Sequence, residues 1–348
     1  MKSQLAITAT GLITGIGLNA PATCAAIRCA IDNFQETRFM DSAGEWILGC
    51  QVPMEEFWQG KNKLIKMAAT AINEVIRYRP DVVPAEMPLL LCLAEQERPG
   101  RVVKDDTQLY LDLQEELGFE FNDQSLLISG GHVSVTIALK HARELIHRHG
   151  KRHVMVAACD TMLSGATLAY YEEKERLLTR GNSDGFIPGE AGAAMLVESG
   201  LGRSDGVLLC EGLGFSVETA HVDSGEPLRA AGLTAAINAA MQEAGCEMGE
   251  LDFRITDVSG EQYHFKEASL ALSRILRQRK EEFDIWHPAD CVGEVGSVQG
   301  LIMLSVLKAA CEKGYSKGRR ILAHLGNDDG KRSSMVLTWA EGGSSNGE

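Results

Sequence analysis

The segment Ser125-Leu-Leu-Ile-Ser-Gly-Gly-His132-Val-Ser-Val-Thr-Ile-Ala-Leu139 is where the sequence offers chemistry. It reads as a buried strand passing through two glycines into an amphipathic helix, a turn that usually displays a nucleophile at a helix N-terminus. A thiol there would be ionised by the helix dipole, but the displayed residue is His132. Two other stretches invite a ligand reading and fail it. Gly326-Asn-Asp-Asp-Gly-Lys-Arg-Ser333 has three residues instead of four between its glycines, and Arg332 where a phosphate loop requires Ser or Thr. Gly11, Gly15 and Gly17 do not space as a dinucleotide fingerprint.

The elements that must position His132 alternate between strand and helix, the pattern of an α/β fold. Strands are predicted at Ala6–Ile13, Pro88–Ala94, Leu126–Ser129, His153–Cys159 and Ala191–Glu198, with helices at Pro21–Ile31, Lys63–Arg77 and Val133–His149. In Lys63–Arg77 the helix assignment rests on Leu64, Ile65, Ala68, Ala71, Ile72 and Val75, which share one face. After the polar, glycine-rich joint Ser199–Asp205 the order restarts. Strands are expected at Val207–Leu213, Phe253–Val258, Ile321–Leu325 and Ser334–Trp339, and helices at Leu233–Ala244, Tyr263–Leu276 and Ser297–Lys313. The division expected is an N-terminal half over 1–200, a C-terminal half over 206–341 and a disordered tail over 342–348, which has no apolar residue.

Length and composition fit this reading. A chain of 348 residues with 45% hydrophobic and 24% charged residues can bury a large core as a soluble protein. The net charge of −14 argues against nucleic acid or an anionic membrane as partner and leaves basic proteins open. The nine cysteines form no C-x-x-C pair, and most lie in apolar runs such as Leu90-Leu-Cys92-Leu, as free thiols in a reducing compartment do. Lys2 and the following apolar run imitate a secretory signal, but threonines and glycines dilute it, so a cytoplasmic protein is expected. No run is long enough to span a bilayer.

Three motifs, in order, resemble the β-ketoacyl synthases of the thiolase superfamily over nearly the whole chain. They are Ala6-Ile-Thr-Ala-Thr-Gly-Leu-Ile-Thr-Gly-Ile-Gly17, Asp184-Gly-Phe-Ile-Pro-Gly-Glu-Ala-Gly-Ala-Ala-Met-Leu-Val-Glu198 and Gly293-Glu-Val-Gly296 ahead of an apolar helix. The resemblance implies a thiolase-like five-layered α-β-α-β-α fold of two pseudo-symmetric halves, normally dimeric. It also implies a Cys-His-His catalytic set, whose cysteine position falls on His132. Counted from Val258-Ser-Gly-Glu261, the first histidine position falls on Glu261; counted from Gly293 and Gly296, the second falls on Asp290. The lysine five residues before the second histidine becomes Ile285, and the loop that supplies an oxyanion-hole amide becomes Asn327-Asp328-Asp329-Gly330. An imidazole faced by two acids puts negative charge where an oxyanion must form, so condensation is not expected.

His132, Glu261 and Asp290 are expected to form a hydrogen-bonded cluster rather than a metal site, and no cofactor is implied. His264 and His287, each three residues from one of these acids, are expected at the surface or in packing, as are His141, His147, His149 and His153; Cys291 is expected to be a buried structural thiol beside the site. The function expected is a non-catalytic adaptor. Degenerate thiolase-like proteins of this kind occur in type VI secretion effector clusters, which implies an accessory role toward a secreted effector or its loading protein, with a homodimeric chain. The alternatives are a chain-length-factor-like subunit beside an active synthase, and an acyl-thioester hydrolase or acyltransferase using His132 with Glu261 or Asp290.

Overall fold

The computed structural model describes residues 4–54, 56, 59–203 and 206–340. The expected tail over 342–348 and two residues of the joint, Ser204 and Asp205, lie outside the described residues. Ten strands join in one sheet. The first half contributes β1 (Leu5–Thr14), β4 (Leu89–Leu93), β5 (Leu126–Ser129), β6 (Val154–Thr161) and β7 (Glu190–Ser199). The second contributes β8 (Val207–Val217), β9 (Phe253–Thr256), β10 (Ile285–Trp286), β11 (Arg320–Gly326) and β12 (Lys331–Ala340). Their order is β10-β9-β11-β12-β8-β1-β7-β6-β4-β5. A separate hairpin pairs β2 (Gln35–Met40) with β3 (Trp46–Gly49).

Outward from the centre, the two wings repeat one pattern. β1 is antiparallel to β7, β7 to β6, and β4 and β5 follow in parallel. On the other side β8 is antiparallel to β12, β12 to β11, and β9 and β10 follow in parallel. β1 and β8 pair only through Leu5, Ala6 and Ile7 opposite Cys210, Leu209 and Leu208, so the wings are free to diverge and admit helices between them.

Those helices are α4 (Ser134–His147) and α9 (Gln299–Glu312). Each touches strands of both wings, and they touch each other. In α9 every residue from Gln299 to Leu307 is buried, as an apolar helix enclosed on all sides must be. On the outer faces, α2 (Gly60–Tyr78) and α3 (Asp106–Leu117) cover the first wing, and α6 (Ala231–Ala244) and α7 (Gln262–Ile275) cover the second. The layers are therefore helix, sheet, helix, sheet, helix. Shorter helices α1 (Ala20–Arg28), α5 (Gly165–Glu173) and α8 (Ala289–Val292) complete the set among the described residues.

Local chemistry accounts for the element ends. Asn19 caps α1 by accepting from the Ala22 N–H, with Pro21 in the first turn, and Asp105 caps α3 in the same way through Gln108. α2 buries the predicted stripe of Leu64, Ile65, Ala68, Ala71, Ile72 and Val75. It also buries Glu74, whose carboxylate accepts from the backbone N–H groups of Leu12 and Ala20 at 2.9 Å and so ties α2 to the end of β1 and the start of α1.

Candidate functional site

β5 ends at Ser129, and the chain turns through Gly130 and Gly131 into a single 3₁₀ turn, Gly131–Val133, that leads directly into α4. Gly131 has φ +58°, and a Cβ there would run into the Glu95 carboxylate, so this tight turn requires glycine. Asn327, at the exit of β11, clamps the same turn. Its side-chain oxygen accepts from the Val133 N–H at 3.2 Å, and its side-chain nitrogen donates to the Gly130 carbonyl at 2.8 Å.

His132, presented by this turn, lies between two carboxylates. Nδ1 is 2.9 Å from Asp257 Oδ2, and Nε2 is 2.9 Å from Glu294 Oε1. Asp257 is the first residue after β9 and also accepts from the Gly326 N–H at 2.8 Å; Glu294 accepts from the Gly296 N–H at 2.8 Å. Burial disfavours the imidazolium, yet the charges and hydrogen bonding of Glu294 and Asp257 hold its pKa well above the ordinary value. The reciprocal effect holds both acids below theirs, against the cost of burial. The cluster at rest is a protonated His132 with two ionised partners.

Around it stand two further ion clusters. Arg98 donates to both oxygens of Asp160 at 2.7 and 2.5 Å, and Asp160 also accepts from the Ser297 N–H at the entry to α9. Arg176 is shared between two acids: it reaches Glu261 at 2.6 and 2.9 Å and Asp328 at 2.8 and 2.9 Å, while the Tyr171 hydroxyl donates to Asp328 at 3.0 Å. Arg176 holds the carboxyl of the half-buried Asp328 well below the usual range, against partial desolvation. Glu95, half-buried and near His132 and Arg98, is shifted up by desolvation. What remains open among these residues is a cavity of about 40 Å³. At roughly 10–15 Å³ per water-sized probe, that is room for a few waters.

The expected faces of the site are therefore corrected in two places. Glu261 does not meet His132; it is the partner of Arg176, with His264 at 3.6 Å. Asp290 lies away from the cavity with its side chain 63% exposed, paired with His287 at 2.9 Å. The acids on His132 are Asp257 and Glu294, each four residues from the position counted in the sequence. The residue five before Glu294 is Ala289, and Ile285 belongs to β10. The loop 327–330 is spread over four tasks. Asn327 clamps the turn, Asp328 pairs with Arg176, and Asp329 pairs with Lys331, while Gly330 closes the turn by donating its N–H to the Asn327 carbonyl. Cys291 is buried but outside the cavity around His132.

Sequence reasoning missed Asp257, Glu294, Arg176, Arg98, Asp160 and Glu95. Two of them carried a readable signal. Glu294 directly follows Gly293, and Asp257 directly follows the strand Phe-Arg-Ile-Thr256.

No metal-holding group of three or more His, Cys, Asp or Glu side chains occurs among the described residues. No described helix is long and apolar enough to cross a membrane.

No family model matches the sequence, and no curated protein matches it. Solved structures do. A chain of AntDE:AntF, a type II PKS acyl-carrier protein in complex with its ketosynthase bound to the hexaketide, superposes with TM-score 0.80 at 14% identity, covering 97% of this chain and 100% of that one. The ishigamide ketosynthase/chain length factor gives TM-score 0.79 at 15% identity, covering 97% and 99%. A β-ketoacyl synthase from Burkholderia phymatum STM815 gives 0.75 at 13%, again covering 97% and 99%. With the layer order and the repeated wings, these superpositions establish that the chain has the thiolase-like fold of the ketosynthases.

Proposed function

We propose that this protein is a non-catalytic ketosynthase-like protein that works by binding another protein. The observation that carries the reading is the engagement of both His132 ring nitrogens by carboxylates, at the turn where the fold would display a nucleophile. On this reading His132, Asp257 and Glu294 stand at the positions of a Cys-His-His set. An imidazolium with both nitrogens engaged has no lone pair with which to attack a thioester. A carboxylate at about 4 Å from a developing oxyanion opposes it by about 4 kcal/mol at an effective dielectric near 20, close to a thousandfold in rate. The Val133 N–H at the helix entry, which could otherwise assist, is taken by Asn327. The same arrangement argues against hydrolase or acyltransferase chemistry at His132.

The partner we infer is a basic, exported effector or its loading protein, in a type VI secretion context. The net charge of −14 suits a basic partner. A second reading, a chain-length-factor-like subunit, is favoured by one observation: the similar structures include a ketosynthase/chain length factor and a ketosynthase in complex with its chain length factor. Co-expression separates the two. A stable complex with a co-encoded basic effector, and none with a cysteine-bearing ketosynthase, supports the first; the opposite pattern supports the second. Carbon–carbon bond formation from acyl and malonyl carriers by the purified chain would sink both.

A further inference from the structure

A second cavity, sharing no lining residue with the one at His132, lies between α1, the end of α9 and β10. Its volume is about 400 Å³, within the range of small-molecule sites. Its walls are apolar and aromatic: Ile27, Ile285, Trp286, Pro288, Val306 and Tyr315. Trp286 is braced from behind by Phe253, with ring centroids 4.6 Å apart. Arg28, Ala30 and Asp290 are exposed and mark the mouth.

The charges at this mouth are unequal. Asp290 lies 2.9 Å from His287 Nδ1, and its charge raises the His287 pKa, so this acid already faces a group that can balance it. Arg28 has no ion pair or side-chain hydrogen bond to a carboxylate among the described residues. Its guanidinium is held over the Tyr315 ring, 4.3 Å from the centroid. In a chain of net charge −14 this is a cation fixed beside an apolar cavity by stacking, with its donor fork unused. A single guanidinium fits one planar carboxylate. Asp290 at the mouth, and Asp32 close enough to act on the Cys291 thiol, oppose a multiply charged anion such as a phosphate.

We propose that this cavity binds a flat, apolar molecule carrying one carboxylate, the ring system against Trp286 and the carboxylate on Arg28. The site is independent of the chemistry at His132 and of the identity of any protein partner. A carboxylate offers no electrophile to Cys291, whose thiol burial and neighbouring acids also raise to about 11, so the binding is non-covalent.

The probes are 2-naphthoate and its uncharged counterpart 2-naphthalenemethanol, titrated calorimetrically into the full chain, with the Trp286 indole N–H followed by NMR and assigned with Trp286→Phe. The expected result is naphthoate binding at least tenfold tighter than the alcohol, a shift of the Trp286 resonance, and loss of that tenfold preference in Arg28→Gln. Because Arg28 is exposed, this variant keeps the fold, which an unchanged far-UV and near-UV CD spectrum checks. Equal affinity for both probes, an unaffected Arg28→Gln variant, or no binding up to about 1 mM would each overturn the proposal.

Discussion

Nε2 of His132 and Oε1 of Glu294 stand 2.9 Å apart, and the other ring nitrogen is equally close to Asp257, so one imidazolium is the counter-ion of two buried acids. The folded state keeps that proton well above the ordinary pKa of 6.5. Above pH 6.5 the unfolded chain gives up the proton while the folded chain retains it. Stability therefore falls as pH rises toward the folded pKa, by up to about 1.4 kcal/mol per pH unit for one proton. On the acid side, the contribution of Asp257 and Glu294 is present above their ordinary values of 3.8 and 4.5 and is lost as pH falls through their lowered folded values. The variant His132→Gln should lose about 3–5 kcal/mol near pH 6 and flatten the slope between pH 6.5 and 9. Urea unfolding across that range measures both, and an unchanged slope would refute a protonated His132.

Arg176 neutralises Glu261 in a buried setting, whereas the Asp328 side chain is 38% exposed. Arg176→Met should therefore cost about 3 kcal/mol or more, and Glu261→Gln in the same chain should restore much of that loss. A double-mutant cycle by chemical denaturation tests the coupling. Additive losses would show that Glu261 does not depend on this partner.

Asn327 holds the Val133 N–H and the Gly130 carbonyl together. Asn327→Ala leaves both buried groups unsatisfied, with an expected cost of about 1–3 kcal/mol. Hydrogen exchange at the Val133 amide should accelerate by at least tenfold relative to amides in α9. Protection equal to that of the wild type would mean that another group takes over the clamp.

His132→Cys places a thiol at the turn, but beside Asp257 and Glu294, whose charges disfavour a thiolate. Alkylation of residue 132 by iodoacetamide at neutral pH, mapped by mass spectrometry, should be slow. Adding Asp257→Asn and Glu294→Gln should speed it by roughly tenfold or more, about one pKa unit. Rapid alkylation of the single variant would contradict the electrostatic argument on which the proposed non-catalytic role rests.

The sequence made β5 legible to the residue, and most other elements of the large sheet to within one or two, because their apolar runs are bounded by glycine, proline or polar turns. The hairpin of β2 and β3, with exposed residues at alternate positions, and the shorter helices α3 and α5 gave no comparable run and were not anticipated. The turn at His132 was readable for the same reason as β5. The acids facing it were not, because loops have no period to fix their register. Val258 extended the apolar run of β9 and made Asp257 look like strand interior, although the strand ends at Thr256. On the other side, counting to Gly293 from upstream passed over Glu294, the residue just beyond it. Both slips kept the chemistry, acid against imidazole, while moving it by one turn of chain.

The Asn327 clamp spans the molecule's internal repeat: its own backbone leaves the second wing, and the two groups it grips belong to the first. With α4 and α9 wedged between both wings of the sheet, neither wing can swell or detach without tearing a shared seam. Heat should consequently melt the chain as one calorimetric unit, with no half-unfolded plateau, despite its two-part architecture.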